Sequence, residues 1–292
     1  MTNIISAFLG ALIAVMIMFN GTLSYTMGNY TSSVIIHIIG LFAIILVLII
    51  SKSKIKIVKE IPLYLYSAGA IGVFTVLFNN LTFLKLGVSV TLALGLLGQS
   101  LSSILIDHFG LFGMNVIRFA KKKCIGLLFI TFGIYMMTTF RGGLMMIYIL
   151  IAILAGVSIV VARIINSNLA LRIGIFQGTF YNYVIGLFFS ILSLFLNNEA
   201  LMISKETMKS VPLWAYLGGL TGVLVIVLSS YLTPKISAFY FTLLMFLGQL
   251  FVGIIIDYFT LNILPIGKIV GGFSVLVGLN YNLLIDKNES TT

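Results

Sequence analysis

The sequence predicts an all-α integral membrane protein of ten transmembrane helices, arranged as two inverted repeats of five helices. Of its 292 residues, 60% are hydrophobic and only 8% are charged, whereas a soluble domain usually carries about 25% charged residues. Apolar stretches of about 20 residues, the length that crosses a bilayer, follow one another with short connections. The same motifs also occur in both halves of the chain.

The apolar stretches define the elements in order. Only 51–61, 108–121 and 197–211 are long enough to be true loops, so no soluble domain fits between the spans. The first stretch has no basic leader or small-residue cleavage site, which favours a retained span over a signal peptide. The spans are expected at about 4–26, 31–50, 62–82, 87–107, 122–140, 145–168, 176–196, 212–232, 237–257 and 266–285.

The basic residues predict the orientation in the membrane. If the loops alternate sides, eleven of the seventeen Lys and Arg residues lie on the side of the N-terminus and five on the other, with Arg163 inside a span. Cytoplasmic loops carry the excess of positive charge, so both termini are expected inside the cell. The net charge of +10 then reflects topology and contact with anionic lipid, and no nucleic-acid partner is expected.

Three pairs of segments show an internal repeat. LGQSLSSILID (97–107) matches LGQLFVGIIID (247–257), and IPLYLYSAGAIGV (61–73) matches VPLWAYLGGLTGV (211–223). Earlier in each half, FNGTLSYTMG (19–28) aligns with INSNLALRIG (165–174). Repeats of this kind indicate duplicated structural units. The sequence therefore predicts a first five-span repeat over 1–143 and a second over 144–292.

The two repeats are expected to have opposite orientations, because a unit of five spans reverses the side on which its copy begins. The loop charges agree, since 51–61 carries four Lys and one Glu while 197–211 carries two Lys and two Glu. Inverted repeats are a construction of secondary transporters, which bind substrate near the midplane between the repeats. The sequence thus predicts a transporter that works by alternating access.

Several short motifs of the sequence resemble those of a known family. The Pro-x-Tyr/Trp start, the Gly-x2-Gly and Gly-Gln pairs and the Asp-His-Phe-Gly run at 107–110 look like the YdcZ-like branch of the drug/metabolite transporter superfamily, in its fused ten-span form. The resemblance implies a bacterial inner-membrane transporter of a small metabolite or drug-like molecule. It also implies that spans 1, 3 and 4 and their partners 6, 8 and 9 line the cavity. The second copy departs from the pattern at 257–260, which reads Asp-Tyr-Phe-Thr.

Duplicated polar residues are the candidate substrate ligands. Gln99 and Gln249 fall near mid-membrane, and a buried amide must find hydrogen-bond partners, which a substrate would supply. Asn20 and Asn166 are duplicated in spans 1 and 6 and are candidates for the same role. The alternative is structural, with the amides joining neighbouring helices.

The ionisable residues within the spans are candidates for gating or coupling. Asp107 lies eight residues beyond Gln99, a rise of about 12 Å along one helix face, and Asp257 repeats this arrangement; helix-end capping is the alternative for both. His37 would titrate near neutral pH and suits proton coupling. Arg163 is expected about one turn from the end of span 6, where it would either bind an anion or extend into the headgroups.

Other functional classes lack their motifs. The sequence has no metalloprotease or serine-hydrolase signature and no phosphate-binding loop, so no enzyme, cofactor, metal site or direct use of ATP is expected. The driving force is then a proton or other ion gradient, or the gradient of the substrate. A flippase for lipids or polyprenol carriers is the alternative function. Glycines spaced seven apart in the last span of each half suggest a homodimer contact: Gly126, Gly133, Gly271 and Gly278.

Overall fold

The structure, a computed structural model, describes residues 2–55, 61–118, 120–137, 145–197, 204–261 and 266–289, and most of these residues lie in helices joined by short connections. The predicted boundary between the repeats, at 143/144, lies outside these residues. The helices are α1 Thr2–Met27, α2 Asn29–Ile50, α3 Ala68–Leu86, α4 Val88–Phe109, α5 Lys123–Met137, α6 Met145–Ile173, α7 Ile175–Leu196, α8 Lys205–Ser210, α9 Gly218–Leu232, α10 Ala238–Leu261 and α11 Ile266–Glu289.

Eight of the described helices are long and apolar enough to cross a membrane: α1, α2, α3, α4, α6, α7, α9 and α10, where α3 and α9 each include a preceding turn of 3-10 helix. The described part of α5 is shorter, and α11 occupies the place of the tenth expected span. The outer surface is apolar, with Phe42 67% and Phe188 63% exposed. Apolar residues outside and amides inside are the arrangement that lipid requires, so the chain is a multi-pass membrane protein.

Single glycines connect three pairs of consecutive helices. Gly28, Gly87 and Gly174 separate α1 from α2, α3 from α4 and α6 from α7, with φ of 82°, 80° and 104°. At these φ values, with ψ near 150–180°, essentially only glycine is unstrained. Gly28 and Gly174 occupy equivalent places in the two halves, so the tight reversal after the first helix is duplicated.

Helix α6 is longer than the sequence predicted. The expected span ended at 168, but the helix continues to Ile173 and ends at Gly174. Arg163 is therefore ten residues from the end of its helix, about three turns rather than one. Its side chain is only 4% exposed, which corrects the expectation of a position within reach of the headgroups.

Close helix contacts recur in the two halves. A Cβ on Gly69 of α3 would meet the backbone of Asn182 and Gly186 in α7, and a Cβ on Gly219 of α9 would meet the backbone of Ile36 and Gly40 in α2. Likewise α1 packs on α10 where α6 packs on α4. Glycine permits these approaches because lipid provides no hydrophobic drive for helix packing.

Helices α5 and α11 pack on each other. A Cβ on Gly126 would meet the carbonyl oxygen of Gly278, and a Cβ on Gly133 would meet that of Gly271. All four glycines are buried within the chain. The glycine faces expected to contact a second copy are thus used inside one molecule, because two glycine faces let these helices approach to backbone contact.

Candidate substrate cavity

A cavity lies at the centre of the molecule, between α1, α2, α3, α6, α7 and α9, with Met245 contributed by α10. It contains about 900 Å³ of unfilled space, including its opening. Most of the wall is apolar. Its polar side chains are amides, hydroxyls, one imidazole and one guanidinium: Asn20, His37, Thr75, Asn79, Arg163, Asn166, Asn182, Tyr183 and Ser229. No carboxylate is among the described residues of the wall.

Two of the expected substrate ligands, Asn20 and Asn166, line this cavity. Asn182 Nδ2 donates a hydrogen bond to Asn166 Oδ1 over 3.0 Å. The Oδ1 of Asn20 is buried without a hydrogen-bond partner and lies against Gly218. An unpaired buried amide oxygen is costly, so a donor from a bound molecule or water would stabilise the site.

Asn79 and Asn182 were not identified from the sequence, although both line the cavity. The candidate ligands Asn20, Asn166, Gln99 and Gln249 are duplicated in the two halves, whereas these two asparagines are not. By the alignment of the halves, Asn79 corresponds to Ser229, and Asn182 to Ile36. A simpler feature would have identified them, because an asparagine in the middle of an apolar span requires a polar partner.

His37 also lines the cavity, in a small polar network. Its Nδ1 lies 2.8 Å from the carbonyl oxygen of Ser33 and 3.0 Å from Ser190 Oγ. Because a carbonyl oxygen only accepts, Nδ1 carries a hydrogen, which leaves Nε2 as the free position of the neutral ring. The His37 ring packs on Gly186, and the ring of Tyr183, at the equivalent position of the other half, packs on Gly40.

Asp107 and Asp257 cap each other's helices. Asp107, near the end of α4, accepts hydrogen bonds from the backbone N–H groups of Ala238 (3.2 Å) and Phe239 (2.9 Å) at the start of α10. Asp257, in the last part of α10, accepts from Val88 and Ser89 at the start of α4, each over 3.1 Å. Carboxylates stabilise helix N-termini by pairing free N–H groups. The two helices are therefore tied to each other at both ends.

Gln99 and Gln249 lie outside the lining of the cavity. Both are buried, and Gln99 Oε1 and both polar atoms of the Gln249 side chain have no hydrogen-bond partner. The preceding glycines bring their helices into backbone contact, Gly98 with Ile153 of α6 and Gly248 with Ala7 of α1. The Gly-Gln motif therefore lies where α4 and α10 pack on the first helix of the opposite half.

Arg163 reaches the cavity wall from α6. One NH2 group donates to the carbonyl oxygen of Ala238 (3.4 Å) and to Thr242 Oγ1 (3.2 Å), and the other lies 3.8 Å from the sulfur of Met245. The guanidinium also stacks 4.6 Å from the ring centre of Phe241. Its Nε is buried without a partner.

A second, more polar cavity lies beside the central one, with about 800 Å³ of unfilled space including its opening. Asn168 and Ser167 of α6 and Thr233 after α9 contribute to its wall, as does Asp107. A hydrogen bond of 3.4 Å from Ser167 Oγ to the Ser230 carbonyl oxygen joins α6 to α9 next to it. Within the described ranges no three His, Cys, Asp or Glu side chains are grouped to hold a metal ion.

Comparison with known proteins gives a family and a fold. One family model, DMT_YdcZ, described as "Putative inner membrane exporter, YdcZ", matches residues 1–136 and again 147–280. No curated protein matches the chain. A solved structure described as "Crystal structure of protein" matches with a TM-score of 0.66 over 97% of this chain and 98% of that one, at 14% sequence identity. At that identity the likeness shows the fold alone.

Proposed function

Since the chain belongs to the YdcZ exporter family of the drug/metabolite transporter superfamily, we propose that it is a secondary transporter that exports a small organic molecule across the inner membrane by alternating access. The family is one of exporters, not of enzymes. The observation that carries the proposal is the central cavity, where amides from equivalent positions of the two halves, Asn20 and Asn166, face a largely apolar space. Such a cavity suits a small molecule with an apolar body and a few polar groups.

The two halves are, in our proposal, inverted five-span repeats, so that the molecule has ten spans. The family model matches both halves. The reciprocal caps support inversion, because Asp107 binds the start of α10 while Asp257 binds the start of α4. Two neighbouring helices that cap each other in this way must be antiparallel. Equivalent helices of a repeat are antiparallel only if one copy is inverted.

In the proposal, an aromatic ring closes the route on one side of the cavity. The ring of Phe83, near the end of α3, lies directly on Gly21 of α1. The equivalent pair in the second half is Thr233 and Ser167, which are small, polar and part of the second cavity. Two equivalent routes, one blocked by a ring and one bordered by a polar cavity, are what one state of an alternating-access cycle requires.

With the N-terminus inside, as the basic residues predict, Phe83 is at the outer end of α3 and the second cavity is on the cytoplasmic side. The structure would then represent a state closed to the outside. Export then requires the Phe83–Gly21 contact to open and the route through the second cavity, between Ser167 and Thr233, to close. We propose that α4 and α10, tied at both ends by the aspartates, form a fixed support for this movement.

The remaining predicted residues take the following roles in the proposal. Asn20 and Asn166 bind the substrate, with Asn182 orienting the Asn166 amide through their hydrogen bond. Gln99 and Gln249 support the contacts of α4 and α10 with the opposite half. His37, whose Nε2 is free of the Ser33 network, is the group that couples transport to a proton.

Solute flux in proteoliposomes tests the proposal. The purified full-length protein is reconstituted and exposed to a panel of radiolabelled small organic solutes that includes neutral, anionic and cationic members. We expect saturable flux of at least one solute, lost in Asn166→Ala, and no scrambling of fluorescent lipid. No flux of any solute together with rapid lipid scrambling would overturn the proposal in favour of a flippase.

A further inference from the structure

Arg163 has unused hydrogen-bonding capacity. A guanidinium carries five N–H bonds and needs acceptors for them when it is buried. Two find oxygen acceptors, on Ala238 and Thr242, and a third has only the weakly accepting sulfur of Met245. The Nε–H has no acceptor. The side chain is only 4% exposed, so bulk solvent does not hydrate it.

The positive charge of Arg163 is also poorly balanced. It forms no ion pair within the described residues, and the described wall of the cavity contains no carboxylate. Asp107 interacts with it electrostatically at longer range, but Asp107 also interacts with Lys123 and accepts two backbone hydrogen bonds from α10. Asp107 is therefore not a dedicated partner of Arg163, whose charge lies at the cavity wall without an ion pair in the described part of the chain. A charge without a close partner inside a membrane marks a functional site by default.

The fold does not need an arginine at this place. By the alignment of the two halves, Arg163 of α6 corresponds to Ile17 of α1, and Ile17 is buried in an apolar cluster. The first half packs with an isoleucine where the second half has a guanidinium. The cavity is therefore pseudo-symmetric in shape and asymmetric in charge, as expected if the charge serves a ligand.

A second donor stands one turn away from Arg163. Asn166 is three residues further along α6, on the same face of the helix. Its Oδ1 accepts from Asn182, which leaves the Nδ2 group free to donate into the cavity. A guanidinium and an amide N–H in this relation match the two oxygens of a carboxylate, the anion that a guanidinium binds in a two-point geometry.

We propose that the cavity binds small organic anions, and that a single carboxylate of the substrate is held by Arg163 and Asn166 while its apolar body lies against Val225, Ile226 and Ile13. This inference rests on the proposed function and names the substrate class of its central site. The guanidinium of Arg163 matches one carboxylate, and the largely apolar remainder of the wall favours a body that carries no further charge.

The test uses three probes of nearly equal shape: 3-phenylpropionate, 3-phenylpropanamide and 3-phenylpropylamine. Thermal stabilisation of the full-length protein in detergent is titrated with each probe, which gives an apparent affinity. A charge-assisted hydrogen bond is stronger than a neutral one by about 1 kcal/mol or more, so we expect the carboxylate to bind about tenfold more tightly than the amide. The amine is expected to bind least.

Substitutions of Arg163 then test whether this residue causes the preference for the carboxylate over the amide. In Arg163→Gln the preference for the carboxylate over the amide is expected to disappear, whereas the exposed control Lys205→Gln keeps it. If Arg163→Gln does not purify as a folded protein, Arg163→Lys replaces it in the test, because lysine keeps the positive charge but cannot bind a carboxylate at two points. The preference of Arg163→Lys for the carboxylate over the amide is expected to be smaller than that of the wild-type protein but still present.

Three results would overturn the inference: no stabilisation by the carboxylate, equal affinities for carboxylate and amide in the wild-type protein, or a preference that survives Arg163→Gln. Flux of a neutral or cationic solute in the proteoliposome panel would at the same time leave the transporter proposal intact. The two failures are therefore distinguishable.

Discussion

Removing the carboxylate of Asp107 should destabilise the protein by loosening α4 from α10. Asp107→Ala deletes the acceptor for two buried backbone N–H groups, those of Ala238 and Phe239. Loss of a helix cap typically costs about 1 kcal/mol and at most about 2. A buried hydrogen bond to a charged group contributes about 1.5–3 kcal/mol, and part of that is offset by the desolvation of the carboxylate. We therefore expect a loss of about 2–4 kcal/mol.

The prediction has internal controls. Asp107→Asn keeps one acceptor oxygen and should lose about half as much stability, while Asp257→Ala should resemble Asp107→Ala because it removes the reciprocal cap. Glu206→Ala changes an exposed carboxylate and should have little effect. The measurement is thermal unfolding of the purified variants in one detergent, where about 3 kcal/mol corresponds to a decrease in Tm on the order of 5–10 °C. A Tm of Asp107→Ala equal to that of Glu206→Ala would refute the capping account.

Three further predictions follow from the same structure. Gly87→Ala should lower the Tm, with a cost of about 1–3 kcal/mol, because Gly87 has a φ of 80° and a ψ of 176°. Gly72→Ala is the matched control, since nothing lies within 4 Å of a Cβ at that position. Equal decreases in Tm for the two variants would contradict the explanation by backbone strain. Asn166→Ala should reduce solute flux at least tenfold, and it should also cost about 1–3 kcal/mol of stability because the buried Nδ2 of Asn182 loses its acceptor. Gln99→Ala should leave the apparent affinity for the solute unchanged, which proteoliposome kinetics measure; the opposite ranking would restore the glutamine as a ligand. Phe83→Ala should let a membrane-impermeant thiol reagent reach a cysteine at Asn166 from the outer side, and continued protection of that cysteine would exclude Phe83 as the closing residue.

The sequence was informative about the helices because apolar length is a direct physical requirement of the bilayer. Helix ends were less predictable, as α6 shows. The expected span ended at 168, yet the helix continues to Ile173 and stops before Gly174, whose φ of 104° L-residues rarely adopt. Arg163 is therefore farther from the end of its helix than expected, and its side chain reaches the cavity wall.

Duplication was an incomplete guide to the site. It selected Asn20 and Asn166, which line the cavity, but also Gln99 and Gln249, which lie where helices of opposite halves pack. Both the site and the packing between repeats are duplicated in such a fold, so recurrence alone does not separate them. Asymmetric residues carry the complementary information, because a polar residue without a counterpart, such as Arg163, is not required by the packing of the repeat.

The most direct test of alternating access is a cross-link between Gly21 and Phe83. Cys124, the single cysteine, is replaced by Ser, and cysteines are introduced at both positions, where a Cβ on Gly21 already contacts the Phe83 ring and a disulfide is within reach. Using the solute that shows saturable flux, we predict that oxidation abolishes the flux and that reduction restores it, because the outer route can no longer open. A fully cross-linked protein that transports at the rate of the reduced one would contradict the account.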